Sequence, residues 1–148
     1  MGCTKLSNII IPDSVTTIGS SAFGHSGLTS ITLSNNLSNI EDYTFSACRG
    51  LLNIVIPDSV TTIGTSAFSE CETLSSVNIP DGVTTIGAHA FYNCSKLEQI
   101  TIPSSVTNIQ SYAFSQSGLK SAAFTCKTWT LSSMITNTIL IENTGIAA

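Results

Sequence analysis

The amino-acid sequence predicts a strand-rich repeat solenoid, and three observations predict it. A segment of 18 residues recurs five times, ending on Phe23, Phe45, Phe68, Phe91 and Phe114, so the steps are 22, 23, 23 and 23 residues. A fixed period of that size marks stacked turns sharing one core. Each copy opens on apolar residues at strand spacing, as in Leu51, Ile54 and Ile56. Hydrophobic residues make up 42% of the 148-residue chain, enough for a packed interior.

Within a copy, the first element is a strand. Leu6, Ile9 and Ile11 have the alternation of a half-buried strand, repeated at Leu28/Ile31/Leu33, Leu74/Val77/Ile79 and Leu97/Ile100/Ile102. Pro12, Pro57, Pro80 and Pro103 end it, because proline has no N–H to donate to a ladder. A polar turn follows, and then a second apolar pair: Val15/Ile18, Leu37/Ile40, Val60/Ile63, Val83/Ile86 and Val106/Ile109. Its β-branched residues predict a short second strand on another face. Gly19, Gly64 and Gly87 are expected to allow a tight bend, and the Ser-Ala-Phe segment to form one helical or 3₁₀ turn. The phenylalanines should stack in one column.

These copies resemble the BspA-like, or Treponema-type, leucine-rich repeats, whose unit runs L-x-x-I-x-I-P-x-x-V-x-x-I-G-x-x-A-F-x-x-C. The second copy departs most, with Ser34 for proline, Leu37 for valine and Thr44 for alanine. The resemblance implies a right-handed superhelix with a parallel β-sheet on its concave face. The solenoid is read as residues 3–124, five repeats and a degenerate sixth carrying Ala122 and Phe124. Residues 125–148 are read as a C-terminal cap with a last strand at Ile139–Ile141, or else as a frayed or swapped tail.

Charge excludes several functions. Charged residues are 9% of the chain against an ordinary quarter, and the net charge is −4. Lys5, Arg49, Lys96, Lys120 and Lys127 are scattered and form no stripe for phosphates, so nucleic acid and anionic membrane surfaces are not expected partners. No segment approaches the about 18 apolar residues of a membrane-spanning helix. Met1-Gly2-Cys3 leads straight into the first repeat, without a secretory leader. That abrupt start reads as truncated or engineered, with a longer natural protein expected.

Catalytic, cofactor and metal sites are not expected. No nucleophile elbow, phosphate loop, dinucleotide fingerprint or zinc-protease motif occurs, and His25 and His89 hold different repeat positions. Cys3, Cys48, Cys71 and Cys94 each stand three residues before a strand leucine and form a column of structural thiols, with no C-x-x-C pair for zinc. Ser26 and Ser117 replace the cysteine in copies one residue shorter. Cys126 lies outside the column, as part of the cap or as a thiol linking two chains. Asp13, Asp58 and Asp81, with Asn35 and Ser104, form a row suited to turns or, less simply, to calcium. Asn36 and Asn93 begin glycosylation sequons.

A function then has to lie in a surface. On the concave face the outward residues form an inner row of Ile10, Thr32, Val55, Asn78, Thr101 and Ala123. Beside it run Asn8, Ser30, Asn53, Ser76, Gln99 and Ser121, then Ser7, Thr29, Leu52, Ser75, Glu98 and Lys120. Thr32, Asn53, Val55, Ser76, Asn78, Gln99 and Thr101 are the candidate binding face. The resemblance implies a cell-surface or secreted binding module that adheres to other cells or to host matrix and plasma glycoproteins. Alternatives are a scaffold or spacer, and an intracellular protein-interaction solenoid. An unprotected first repeat also predicts end-to-end homodimers.

Overall fold

The computed structural model of the chain describes residues 2–124. The cap, the strand expected at Ile139–Ile141 and Cys126 lie outside the described residues. The predicted solenoid is present. Its turns are built from two sets of parallel strands and a tight turn, and the described residues contain no helix.

The first strand of each turn falls on the predicted leucine-isoleucine pattern. These strands are β1 (Asn8–Ile10), β2 (Ser30–Thr32), β4 (Asn53–Val55), β6 (Ser76–Asn78), β8 (Gln99–Ile102) and β10 (Ser121–Phe124). The second set is β3 (Asn39–Ile40), β5 (Thr62–Ile63), β7 (Thr85–Ile86) and β9 (Asn108–Ile109). The two sets differ in continuity. The second strands make one four-stranded parallel sheet in the order β3-β5-β7-β9. The first strands pair in parallel as β1-β2, β4-β6 and β8-β10, and no ladder joins β2 to β4 or β6 to β8. The parallel pairing expected on this face is therefore divided into three units. The first copy's Thr17–Ile18 forms no strand.

The interior is a set of columns. Phe45, Phe68 and Phe91 have no exposed surface. Neighbouring rings from Phe23 to Phe114 lie 5.5, 5.4, 5.3 and 5.4 Å apart, within 10° of parallel. Val60, Ile63, Leu51 and Ile56 fill the same layer of the middle turn. Where the second copy departs from the repeat, hydrogen bonds absorb the difference. The buried Ser34 hydroxyl donates to the Val15 carbonyl at 2.6 Å, and Thr44 Oγ1 to the Glu41 carbonyl at 2.8 Å.

The Ser-Ala-Phe segment holds the largest difference from expectation. The i→i−3 bonds of a 3₁₀ turn are present, but only at alternate residues: Ala22 to Gly19, Gly24 to Ser21, Ser26 to Phe23. The N–H groups between them point to the next turn, Ser21 to Asp42, Phe23 to Thr44 and His25 to Ser46. The pattern recurs in later turns, as Ser66 to Ala88, Phe68 to Ala90 and Glu70 to Tyr92. A continuous helix would aim every N–H back along its own axis. Here left-handed residues stand four apart, at positions two before and two after each phenylalanine. Ser21, His25, Tyr43, Ala47, Ser66, Glu70, His89, Asn93, Tyr112 and Gln116 have φ between 52° and 60°. None is β-branched, the class for which this conformation is worst. Each costs on the order of 1 kcal/mol, and the inter-turn hydrogen bonds offset it.

Gly64 and Gly87 serve close approach rather than a bend, while the Gly19 position is open. Gly64 has no left-handed φ, and a Cβ there would lie 2.6 Å from Asp42 Oδ1 and 2.7 Å from its backbone nitrogen.

Candidate binding face

The outward residues of the first strands stand where the sequence placed them. Pairing sets Asn8 opposite Ser30 and Ile10 opposite Thr32, then Asn53 opposite Ser76 and Val55 opposite Asn78. Gln99 faces Ser121, and Thr101 faces Ala123. Because strand side chains alternate, Ile54 and Ile100 turn inward between these rows and are buried.

The face is not uniform along its length. Ile10 and Val55 are 75% and 71% exposed, and Leu52 beside Val55 is 53% exposed. With exposed Thr32 between them they form an aliphatic strip over β1, β2 and β4. Beyond it, Ser76, Asn78, Gln99 and Thr101 make the surface polar and uncharged. The charged corner neutralises itself. Lys120 Nζ lies 2.8 Å from Glu98 Oε1, and this lysine holds the Glu98 carboxyl below its usual range.

Two outward residues, the candidate Asn78 and Asn8 in the neighbouring row, are partly committed to the fold. Asn78 Oδ1 accepts the Ile56 N–H at 3.1 Å, and its Nδ2 donates to the Ile56 carbonyl at 3.4 Å. Asn78 thereby stands in for a neighbouring strand at the end of β4. Asn8 Oδ1 accepts from Ser30 Oγ at 3.3 Å, tying the first rungs of β1 and β2. Val55, Asn53, Gln99 and Thr101 have no such bond among the described residues.

The buried cysteines are structural. Cys48, Cys71 and Cys94 are buried, and each thiol donates to the carbonyl of a phenylalanine one turn back: Phe23 and Phe45 at 3.1 Å, Phe68 at 3.2 Å. Burial pushes all three thiols up, Cys94 to about 12. A thiol held protonated is a poor nucleophile and metal ligand. Ser26 fills the slot in its shorter copy, buried and 3.2 Å from Cys48 Sγ. Cys3 is exposed.

Asp13 accepts from the Asn35 backbone N–H at 2.8 Å and from its side chain, which joins the turns of successive repeats instead of closing one turn on itself. The Asn36 side chain donates to the Asp13 carbonyl at 2.7 Å. Arg49 engages Glu70 and Glu72 on the surface. The histidines are separate, as their repeat positions require. His25 lines a cleft of about 260 Å³ with Cys3, Ser21 and Tyr43. His89 instead sits in an aromatic group that reading along the chain missed. Its ring stacks on Tyr112 at 5.2 Å and meets the Tyr92 edge at 5.6 Å. The available signal was vertical: His89 and Tyr112 occupy one repeat position in successive copies.

Among the described residues no helix is long and apolar enough to cross a membrane. Residues 1–120 match the BspA type leucine rich repeat region in six copies. No curated protein matches the chain. Several solved structures are similar to it. A leucine rich cell surface protein from Faecalibacterium prausnitzii shares 34% identity with a TM-score of 0.58, over 70% of this chain and 25% of that one. The leucine rich repeat protein of T. pallidum shares 26% with a TM-score of 0.74, over 82% and 58%. The pneumococcal vaccine antigen PcpA shares 33% with a TM-score of 0.74, over 80% and 30%. The chain therefore spans between a quarter and three-fifths of the length of these proteins.

Proposed function

Since the chain belongs to the BspA-type leucine-rich repeat family, we propose that it is a non-enzymatic protein-binding module of a cell surface, using the first-strand face. One observation supports this most directly. An aliphatic strip at Ile10, Leu52 and Val55 is held open to solvent on stacked parallel strands, and it adjoins uncharged hydrogen-bonding residues. An apolar core with a polar, weakly charged surround is the composition of a protein interface. The partner proposed is a glycoprotein of the extracellular matrix or plasma, met through its polypeptide. The surface location rests on the family and on the description of the F. prausnitzii protein as a cell surface protein.

The test is binding of the purified chain to immobilised matrix and plasma glycoproteins, with a Val55→Asp, Thr101→Lys double variant beside it. Saturable binding that the folded variant loses supports the reading. Binding that survives in the variant removes it from this face, and no binding by either protein favours a spacer.

The expected homodimer through the solenoid ends remains part of the proposal, and the turn ladder restricts its form. N–H groups at and beside each phenylalanine donate in one direction, from each turn to the following one. Two N-terminal ends brought together would set acceptors against acceptors, and two ends of the opposite kind donors against donors. A dimer using this ladder is therefore head-to-tail, an arrangement that leads to open chains. Light scattering that shows a closed dimer, unchanged as concentration rises, would exclude it.

A further inference from the structure

We propose that the turn face of the last two described repeats carries a second binding site, for a neutral pyranose glycan, centred on Tyr112, His89 and Tyr92. The site lies away from the first-strand face and does not depend on that reading. His89 and Tyr112 hold the position two before the phenylalanine, which Ser21, Tyr43 and Ser66 hold in earlier copies. Only here do two rings occupy that position in successive turns. They stack 5.2 Å apart with 23° between their planes, and Tyr92 closes on His89 edge-first at 5.6 Å. Tyr112 keeps 47% of its surface exposed.

The polar groups around the rings match a polyhydroxylated ligand. Tyr92 donates its hydroxyl to Gln116 Oε1 at 2.9 Å. Gln110 Oε1 accepts the Ala88 N–H at 3.1 Å. Each glutamine oxygen thus accepts one bond within the protein, which orients the amide, and each exposed side chain keeps an NH₂ group for a ligand oxygen. A pyranose presents C–H groups on one face and hydroxyls around its rim. The electron-rich face of a tyrosine attracts the first, and amide donors take the second. None of the groups named is a lysine, arginine or carboxylate, so the site offers no fixed counter-charge to a sulfated or phosphorylated ligand. Ring stacking and the Tyr92–Gln116 bond fix these side chains before a ligand arrives, so little rotamer freedom remains to be lost.

The natural sequence supplies the controls. Serine already stands at this position in two copies, at the same left-handed φ of 60° for Ser21 and 52° for Ser66. Tyr112→Ser and His89→Ser should therefore leave the fold intact. Saturation-transfer NMR and calorimetry would be run with cellohexaose, mannohexaose and a heparin-derived hexasaccharide. The expected result is saturable binding of a neutral hexaose, weakened at least tenfold by Tyr112→Ser at unchanged melting temperature and unaffected by Val55→Asp. Binding equal in parent and Tyr112→Ser, binding of the sulfated sugar alone, or no neutral sugar bound would each overturn the proposal. If Tyr112→Ser unfolds the chain, His89→Ser decides by the same criteria. Loss through Val55→Asp would move the glycan to the first-strand face and overturn it as well.

Discussion

The turn column and the first-strand face come from the same 23-residue unit, yet they are put together differently. At the column, side chain and backbone repeat in step. One phenylalanine per turn stacks on the next, buried thiols donate to the turn before, and backbone N–H groups donate to the turn after. On the first-strand face the ladder is divided into three pairs, and the outward residues change at every rung, from Ile10 to Thr32 to Val55 to Asn78. Stability should concentrate in the column and recognition on the face. Mutations can break that contrast.

The largest effect is expected at the centre of the column. Phe68 is fully buried between Phe45 and Phe91, so Phe68→Ala removes contacts with two turns at once. A loss of about 3–5 kcal/mol is expected from denaturant unfolding. A change no larger than that of a first-strand surface variant would end the comparison.

Next comes the thiol column. Cys71→Ala removes the thiol that donates to the Phe45 carbonyl, which keeps the Cys48 N–H, a cost of about 1 kcal/mol. The thiols also make stability depend on pH. In the unfolded chain a thiol ionises from about pH 8.5, whereas burial holds it protonated in the fold. For Cys94 that extends to about 12. Their contribution is fully present below about pH 8.5 and is lost as pH rises toward the folded value, because the unfolded state then binds fewer protons. Unfolding midpoints should fall between about pH 8 and pH 10, and fall less steeply in Cys94→Ala. Equal slopes would mean that ionisation elsewhere governs the alkaline limb.

The sequence made the apolar columns legible because burial imposes residue type at fixed spacing. Phe23 to Phe114, the second strands from Ile40 to Ile109 and the inward isoleucines of the first strands all follow from it. The alternating ladder was not legible. Its left-handed positions are Ser, His, Tyr, Ala, Glu, Asn and Gln, with no glycine to mark them. The constraint there is an inter-turn hydrogen bond that any non-β-branched residue can satisfy. The two sheets also looked alike in sequence, since their difference lies in backbone pairing. On the candidate face, outward register was readable from alternation. That Asn78 is bound to Ile56 was not, because an asparagine at an outward position has the same pattern whether it serves the fold or a partner.

Asn78 therefore sharpens the comparison from within the face. Asn78→Ala frees the Ile56 N–H and should cost about 1 kcal/mol, with faster hydrogen exchange at Ile56. Faster exchange confined to the end of β4 would show a side chain doing locally what a continuous ladder does in β3-β5-β7-β9.

The smallest stability effect is expected where the largest effect on binding is expected. Val55 is 71% exposed, so its side chain gives up little packing when replaced. Its backbone pairing with Asn78 is kept by any residue that tolerates a strand. Val55→Asp should then change stability by less than about 0.5 kcal/mol, the range of ordinary surface substitutions. The same change puts a carboxylate in the aliphatic strip formed with Ile10 and Leu52. Against an apolar partner surface that charge must be desolvated without a counter-ion, which costs far more than the lost methyl contacts. Stability unchanged with partner binding abolished would separate the two regions cleanly. A large loss of stability instead would mean that Val55 packs against something the first-strand face already holds. Recognition would then have to be sought on the turn face.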